Sequence, residues 1–139
     1  MAEIRLPKLL APAGDFESFQ AALRFGADEI YLGATQFGMR VAAAKFDFAQ
    51  LAQAVLLAHQ QQVRVFLTCN TIPTNQEVEE LPSFLRQAQQ TGVDGLIVAD
   101  LGVLAAAKRH APDVEIHMST QVGIVNHLTA NELHRLGAK

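Results

Sequence analysis

One cysteine, Cys69, stands in 139 residues, so no disulfide can form within the chain, which fits a reducing compartment. Long apolar runs are also missing. No stretch reaches the roughly 18 apolar residues of a membrane-spanning helix, and the N-terminus, with Glu3, Arg5 and Lys8, has no signal-peptide core. A soluble cytoplasmic protein with no membrane partner is the expectation. Positive charge is not in excess: 14 acidic and 11 basic side chains leave a formal charge of −3. That argues against a dedicated nucleic-acid surface within this segment, because phosphate neutralisation needs clustered Lys and Arg. Phosphate loops are absent, since neither G-x-x-x-x-G-K-[ST] nor G-x-G-x-x-G occurs. The histidines form neither H-E-x-x-H nor a Cys/His zinc spacing, so no metal site is expected. No G-x-S-x-G elbow surrounds Ser18, Ser83 or Ser119.

What is present is a soluble core composition, half hydrophobic and 18% charged, arranged as five strand-then-helix units in series. Leu9-Leu10-Ala11 is a short strand that Pro12-Ala13-Gly14-Asp15 breaks, with Asp15 as N-cap and Phe16, Phe19, Ala22 and Leu23 on one helical face. Glu29–Gly33 is the second strand. Asp47 and Gln50 form a capping box for the second helix, whose buried side is read as Leu51, Ala52, Val55, Leu56 and His59. Val63–Cys69 is the clearest strand by composition. Thr74 and Glu77 offer another capping box, after which Pro82 either opens a separate helix near Leu81 or kinks a continuous one. Gly95–Ala99 and Val114–Ser119 are the fourth and fifth strands. Asp100 caps the helix that Pro112 ends, and the last helix follows Asn126. Gly26-Ala27-Asp28 and Gly92-Val93-Asp94 each end a helix and lead into a strand. Gly137 repeats the signal, so Lys139 stands before an expected sixth strand.

A serial α/β pattern of this kind closes as an eight-stranded (β/α) barrel of roughly 250 residues. Residues 1–139 are therefore read as the incomplete N-terminal portion of a TIM-type barrel domain, with a parallel sheet. The edge of strand five, left unpaired, invites edge-strand or dimer-like association. The alternative is a complete doubly wound sheet of five strands. Against it, strand one lacks a glycine-rich turn, and Asp15 at the helix start would repel a phosphate.

Ligands of parallel β/α folds bind beyond the carboxyl ends of the strands. Asp15 and Asp100 lie there but are first of all helix caps. Asn70, Ser119 and Gln121 begin no obvious helix and are candidates for substrate binding, weighed against plain loop hydrogen bonding. Residues 34–46 form a long connection where about two to six residues are usual. They include Arg40, whose planar fork can grip a carboxylate or phosphate; a salt-bridged or solvated arginine is the competing reading. Cys69 at a strand end reads as packing rather than as a nucleophile.

Leu9-Leu10-Ala11-Pro12-Ala13-Gly14-Asp15, Gly26-Ala27-Asp28, Tyr31-Leu32-Gly33, Phe37-Gly38-Met39-Arg40 and Ser119-Thr120-Gln121 together resemble the collagenase-like peptidase family of unknown catalytic type, over essentially the whole chain. The resemblance implies a barrel-like catalytic domain. Despite the peptidase name, it implies an RNA-modifying hydroxylase as the intact protein, in one branch prephenate-dependent and acting on a transfer RNA wobble uridine. It also implies an iron–sulfur cluster held by cysteines outside this chain, a dicarboxylate donor for Arg40, and RNA as partner. These 139 residues alone would then be inactive and marginally stable. A peptidase and a non-catalytic binding fragment are the alternatives. Gln62 departs from the family pattern, which has glycine there.

Overall fold

A computed structural model describes residues 6–39 and 46–139. Five strands, β1 (Leu10–Ala13), β2 (Glu29–Gly33), β3 (Arg64–Cys69), β4 (Gly95–Val98) and β5 (Glu115–Met118), pair in parallel in the order of the sequence. A doubly wound sheet reverses its strand order at a switch point. This sheet does not, and that alternative falls. Sequential parallel order is the arrangement of a TIM-type barrel arc.

The helices are α1 (Phe16–Arg24), α2 (Phe48–Gln60), α3 (Asn75–Val78), α4 (Leu81–Gln90), α5 (Leu101–His110) and α6 (His127–Arg135). Alternate strand residues Ile30, Leu32, Val65, Leu67, Cys69, Leu96, Val98 and Ile116 are buried in one core with Phe19, Leu51, Val55, Leu85, Val103 and Leu133 of the helices. Residues of the other parity, such as Tyr31, Thr68, Ile97 and His117, are only half-buried. One face of the sheet is therefore packed and the other is an open trough.

The caps expected from the sequence all form. Asp15 accepts from Ser18 N at 2.7 Å, Asp47 and Gln50 complete a capping box, and Asp100 accepts from Val103 N at 2.9 Å. Pro82 sits in the first turn of α4, separated from the single turn of α3, so the two-helix alternative holds. Two expectations need correction. β1 runs on through Pro12 and Ala13, because among the described residues it has one neighbour only and an edge strand tolerates a proline's missing N–H. On α2 the buried stripe is Leu51, Ala54, Val55 and Ala58, while Ala52, Leu56 and His59 face outward. The i, i+3, i+4, i+7 face, with its small alanines, lies on the sheet.

The glycine signals have a common geometry. Gly26, Gln62, Gly92 and Gly137 end α1, α2, α4 and α6 with φ of 85°, 61°, 83° and 110°. Two residues later, Asp28 N, Arg64 N, Asp94 N and Lys139 N donate to Leu9 O, Asp28 O, Val65 O and Ile116 O at 2.8–3.2 Å. Each left-handed residue thus turns the chain so that the second amide beyond it meets the preceding strand unit. Asp28 and Asp94 strengthen the joint, each carboxylate accepting the amide of Leu9 or Val65 at 2.7 Å. The Lys139 amide extends this pairing along the far edge of β5.

Candidate active site

A cleft of about 600 Å³ opens at the carboxyl ends of the strands. Small residues make room for it: Gly14 follows β1 and Gly33 ends β2, where a side chain would meet Thr68 Oγ1 at 3.3 Å. Tyr31, Met39, Ile97 and Met118 supply apolar and aromatic surface, and Thr68, Asn70, Ser119, Thr120 and Gln121 supply hydroxyl and amide groups. Among the described residues, the lining contains no charged side chain.

Three of the four predicted binding residues converge here. Asn70 follows β3 directly, and its Nδ2 donates to Gln121 Oε1 at 3.0 Å. Ser119 caps the single 3-10 turn Thr120–Val122, and its hydroxyl donates to the same Gln121 oxygen at 2.9 Å. Arg40 lies outside the described residues. Asp15 and Asp100 are occupied as caps and do not line the cleft.

The long β2–α2 connection reaches this site. It departs at Ala34 and returns at Phe46, which bridge to one another in parallel. Phe37 adopts a left-handed φ of 58°, uncommon for a bulky residue. Its carbonyl accepts from both Thr71 N and Thr71 Oγ1 at 3.2 Å, and its ring packs edge-on against Phe84 at 4.8 Å. That clamp sets the Met39 N–H against Asn70 Oδ1 at 3.2 Å. Tyr31 and Met39 stood in the family motifs but were not named as site residues from sequence. Tyr31 could have been found from the period of two, because it shares the open face with Gly33.

The opposite end of the trough is charged. Glu29, Arg64 and Glu115 are the first residues of β2, β3 and β5. Arg64 reaches Glu115 at 2.7 Å and Glu29 at 3.5 Å, and His117 meets Glu115 at 3.2 Å. The Arg64 hydrogen bond, with a smaller contribution from His117, holds the Glu115 carboxyl below the usual carboxylate range. The Arg64 guanidinium also lies 5.0 Å from the Phe66 ring centre, within cation–π range. Sequence reasoning missed this cluster, whose members are far apart in the chain.

Among the described residues, conventional hydrolytic groups do not assemble. The Cys69 thiol is buried, and burial pushes it up to about 12, so it stays protonated at neutral pH. Ser119 is bonded to an amide rather than to a base. Among the described residues, no group of three His, Cys, Asp or Glu side chains could hold a metal ion.

Residues 14–139 match the model of peptidase family U32. The chain belongs to that family. It is 34% identical over 120 residues to a Bacillus subtilis (strain 168) tRNA hydroxylation protein P1, covering 86% of this chain and 28% of the relative. It is 38% identical over 117 residues to a 23S rRNA 5-hydroxycytidine synthase of Escherichia coli (strain K12), covering 84% of this chain and 17% of that protein. A solved U32 peptidase superposes with a TM-score of 0.76 at 17% identity, over 99% of this chain and 58% of the other. That likeness bears out the β/α barrel-type fold. The chain thus spans less than a third of either curated relative. Both the peptidase and the RNA-hydroxylase sides of this U32 resemblance are present among its relatives.

Proposed function

We propose that the intact protein is a cytoplasmic RNA-modifying hydroxylase of family U32, that its target is a pyrimidine base of transfer RNA, and that the cleft receives this base. The observation that carries the reading is the cleft's lining of amides and hydroxyls beside Tyr31 and two methionines, uncharged among the described residues. An extruded base needs a surface to stack on and neutral partners for its edge, and the cleft's size suits such a ligand. The similarity to a tRNA hydroxylation protein and an rRNA 5-hydroxycytidine synthase supports the reaction class.

Prephenate, or a dicarboxylate like it, would be the donor, with Arg40 as the partner of one carboxylate. The iron–sulfur cluster does not fit this chain. Four thiolates are needed, and Cys69 is the single cysteine and is buried. The cluster's ligands would come from elsewhere in the intact protein, and residues 1–139 alone would not turn over.

The test is mass spectrometry of nucleosides from cells lacking the intact protein. One pyrimidine should lose the mass of an oxygen atom, and the wild-type gene should restore it. An unchanged nucleoside profile, with gelatin cleaved by the purified protein, would replace this reading with the peptidase one.

A further inference from the structure

Gln121 holds a hydrogen-bond donor against a poor acceptor. The Met39 N–H donates to Asn70 Oδ1 at 3.2 Å, and a backbone N–H can only donate, so the Asn70 amide nitrogen is turned away from it. That nitrogen donates to Gln121 Oε1 at 3.0 Å, and the Ser119 hydroxyl donates to the same oxygen at 2.9 Å. The Gln121 oxygen is therefore committed, and its Nε2 lies against Met39 Sδ, the acceptor it meets among the described residues. A thioether sulfur accepts weakly. It is also the atom of this pair that oxidation can change.

Met39 lines the cleft and is 56% exposed, so a small oxidant in solution reaches it, whereas Met118 of the same lining is half-buried. We infer that Met39 is a modification site for hydroperoxides, and that its sulfoxide locks onto Gln121 across the cleft. In the step, a sulfur lone pair attacks one oxygen of hydrogen peroxide. An S–O bond forms as the O–O bond breaks, and the departing hydroxide takes the proton of the transferred oxygen and leaves as water. Sulfur is oxidised by two electrons and the peroxide is reduced. The product carries a polar oxygen, a full acceptor for the Gln121 amide in place of a weak one. Methionine oxidation ordinarily disrupts packing; here it adds a bond. Met39 sits on the β2–α2 connection and Gln121 on the turn after β5, so that bond ties two sides of the cleft together. The assignment is independent of what the cleft binds.

The experiment treats the intact protein with graded hydrogen peroxide, maps oxidised methionines by peptide mass spectrometry, and follows amide hydrogen exchange in peptides carrying Met39 and Thr71. Met39 should gain one oxygen at lower peroxide than Met118. The Met39 and Thr71 amides, bonded to Asn70 and Phe37, should then exchange about fivefold more slowly, the scale of one net hydrogen bond. A mixture of the two methionine sulfoxide reductases should restore the original rate. Gln121→Leu should oxidise at Met39 without slowing, and Met39→Leu should show neither effect. If the leucine protein at 121 fails to fold, Gln121→Glu serves, since its carboxylate keeps an acceptor for Asn70 and Ser119 but gives Met39 no donor. Oxidation of Met118 before Met39 would overturn the site. Unchanged or faster exchange in the oxidised wild type would overturn the lock, as would equal slowing in the Gln121 variants or slowing that persists in Met39→Leu.

Discussion

Replacing Gln62 by glycine should stabilise the fold by about 0.5–1 kcal/mol. Gln62 is the one non-glycine among the four left-handed residues that end α1, α2, α4 and α6, and its side chain is exposed. A left-handed backbone costs a residue with a Cβ about 1–2 kcal/mol. Glycine removes that strain but gives the unfolded chain more freedom, which takes back roughly 0.5–1 kcal/mol. The difference favours glycine. Two controls bracket it. Gln61→Gly, one residue earlier at φ −106°, relieves no strain and should lose about 0.5–1 kcal/mol. Gly92→Ala, at φ 83° with only Val55 Cγ1 nearby at 3.5 Å, should lose about 1 kcal/mol from conformation alone. Urea unfolding of the intact protein, followed by far-ultraviolet circular dichroism, reads all three as shifts of midpoint at constant slope. A midpoint for Gln62→Gly equal to or below wild type would show that this joint does not carry the strain its φ implies.

Gly95→Ala should destabilise by about 1–3 kcal/mol, because a Cβ there would stand 2.5 Å from Phe66 Cδ1; an unchanged unfolding midpoint would mean the ring moves freely. Glu115 gives a pH signature. Its folded carboxyl is held low, chiefly by Arg64, so its contribution is present above its ordinary range near 4.3 and is lost as pH falls through the depressed value. Arg64→Met should therefore flatten the acid limb of stability below about pH 4, and an acid limb identical to wild type would count against the pairing. Arg40→Lys in the intact protein should weaken donor use about ten- to a hundredfold, since lysine keeps the charge but not the paired geometry. Donor dependence unchanged in both Arg40→Lys and Arg40→Ala would make Arg40 an ordinary loop residue.

The architecture was legible because its signals are local. Caps such as Asp15 and Asp47, glycines such as Gly26 and Gly92, and the apolar run of β4 each depend on a few neighbouring residues. The buried face of α2 was not, since leucines at 51 and 56 and alanines at 52, 54 and 58 fit more than one stripe; contact with the sheet decides. In the site, Asn70, Ser119 and Gln121 were legible as polar residues at strand ends where no α-helix begins, although Ser119 caps a short 3-10 turn that the sequence did not announce. Their mutual bonds were not, because Asn70 and Gln121 lie 51 positions apart. The Glu29–Arg64–Glu115 cluster escaped for the same reason. Three strand-initial charges look solvated until the sheet register places Glu29 beside Arg64.

That cluster bears on what the cleft can bind. Residues 29, 31 and 33 share one face of β2, so the charged layer sits roughly 13 Å below the layer of Gly33, at ~3.3 Å per residue. Arg64 is engaged by two carboxylates at that depth, and Phe66 and His117, packed edge-on at 4.8 Å, stand in the layer between. Its positive charge is thus balanced locally and separated from the mouth, where a screened field of that range is weak. Recognition of an anion at the mouth must come from residues outside this floor, and Arg40, the residue after Met39 of the cleft lining, is the one proposed for that role. The neutral amides of Asn70 and Gln121, bonded to one another at 3.0 Å, suit an uncharged edge instead. On the proposed reading, a donor carboxylate and a base would be held by different side chains, which is the arrangement that a reaction between two bound partners requires.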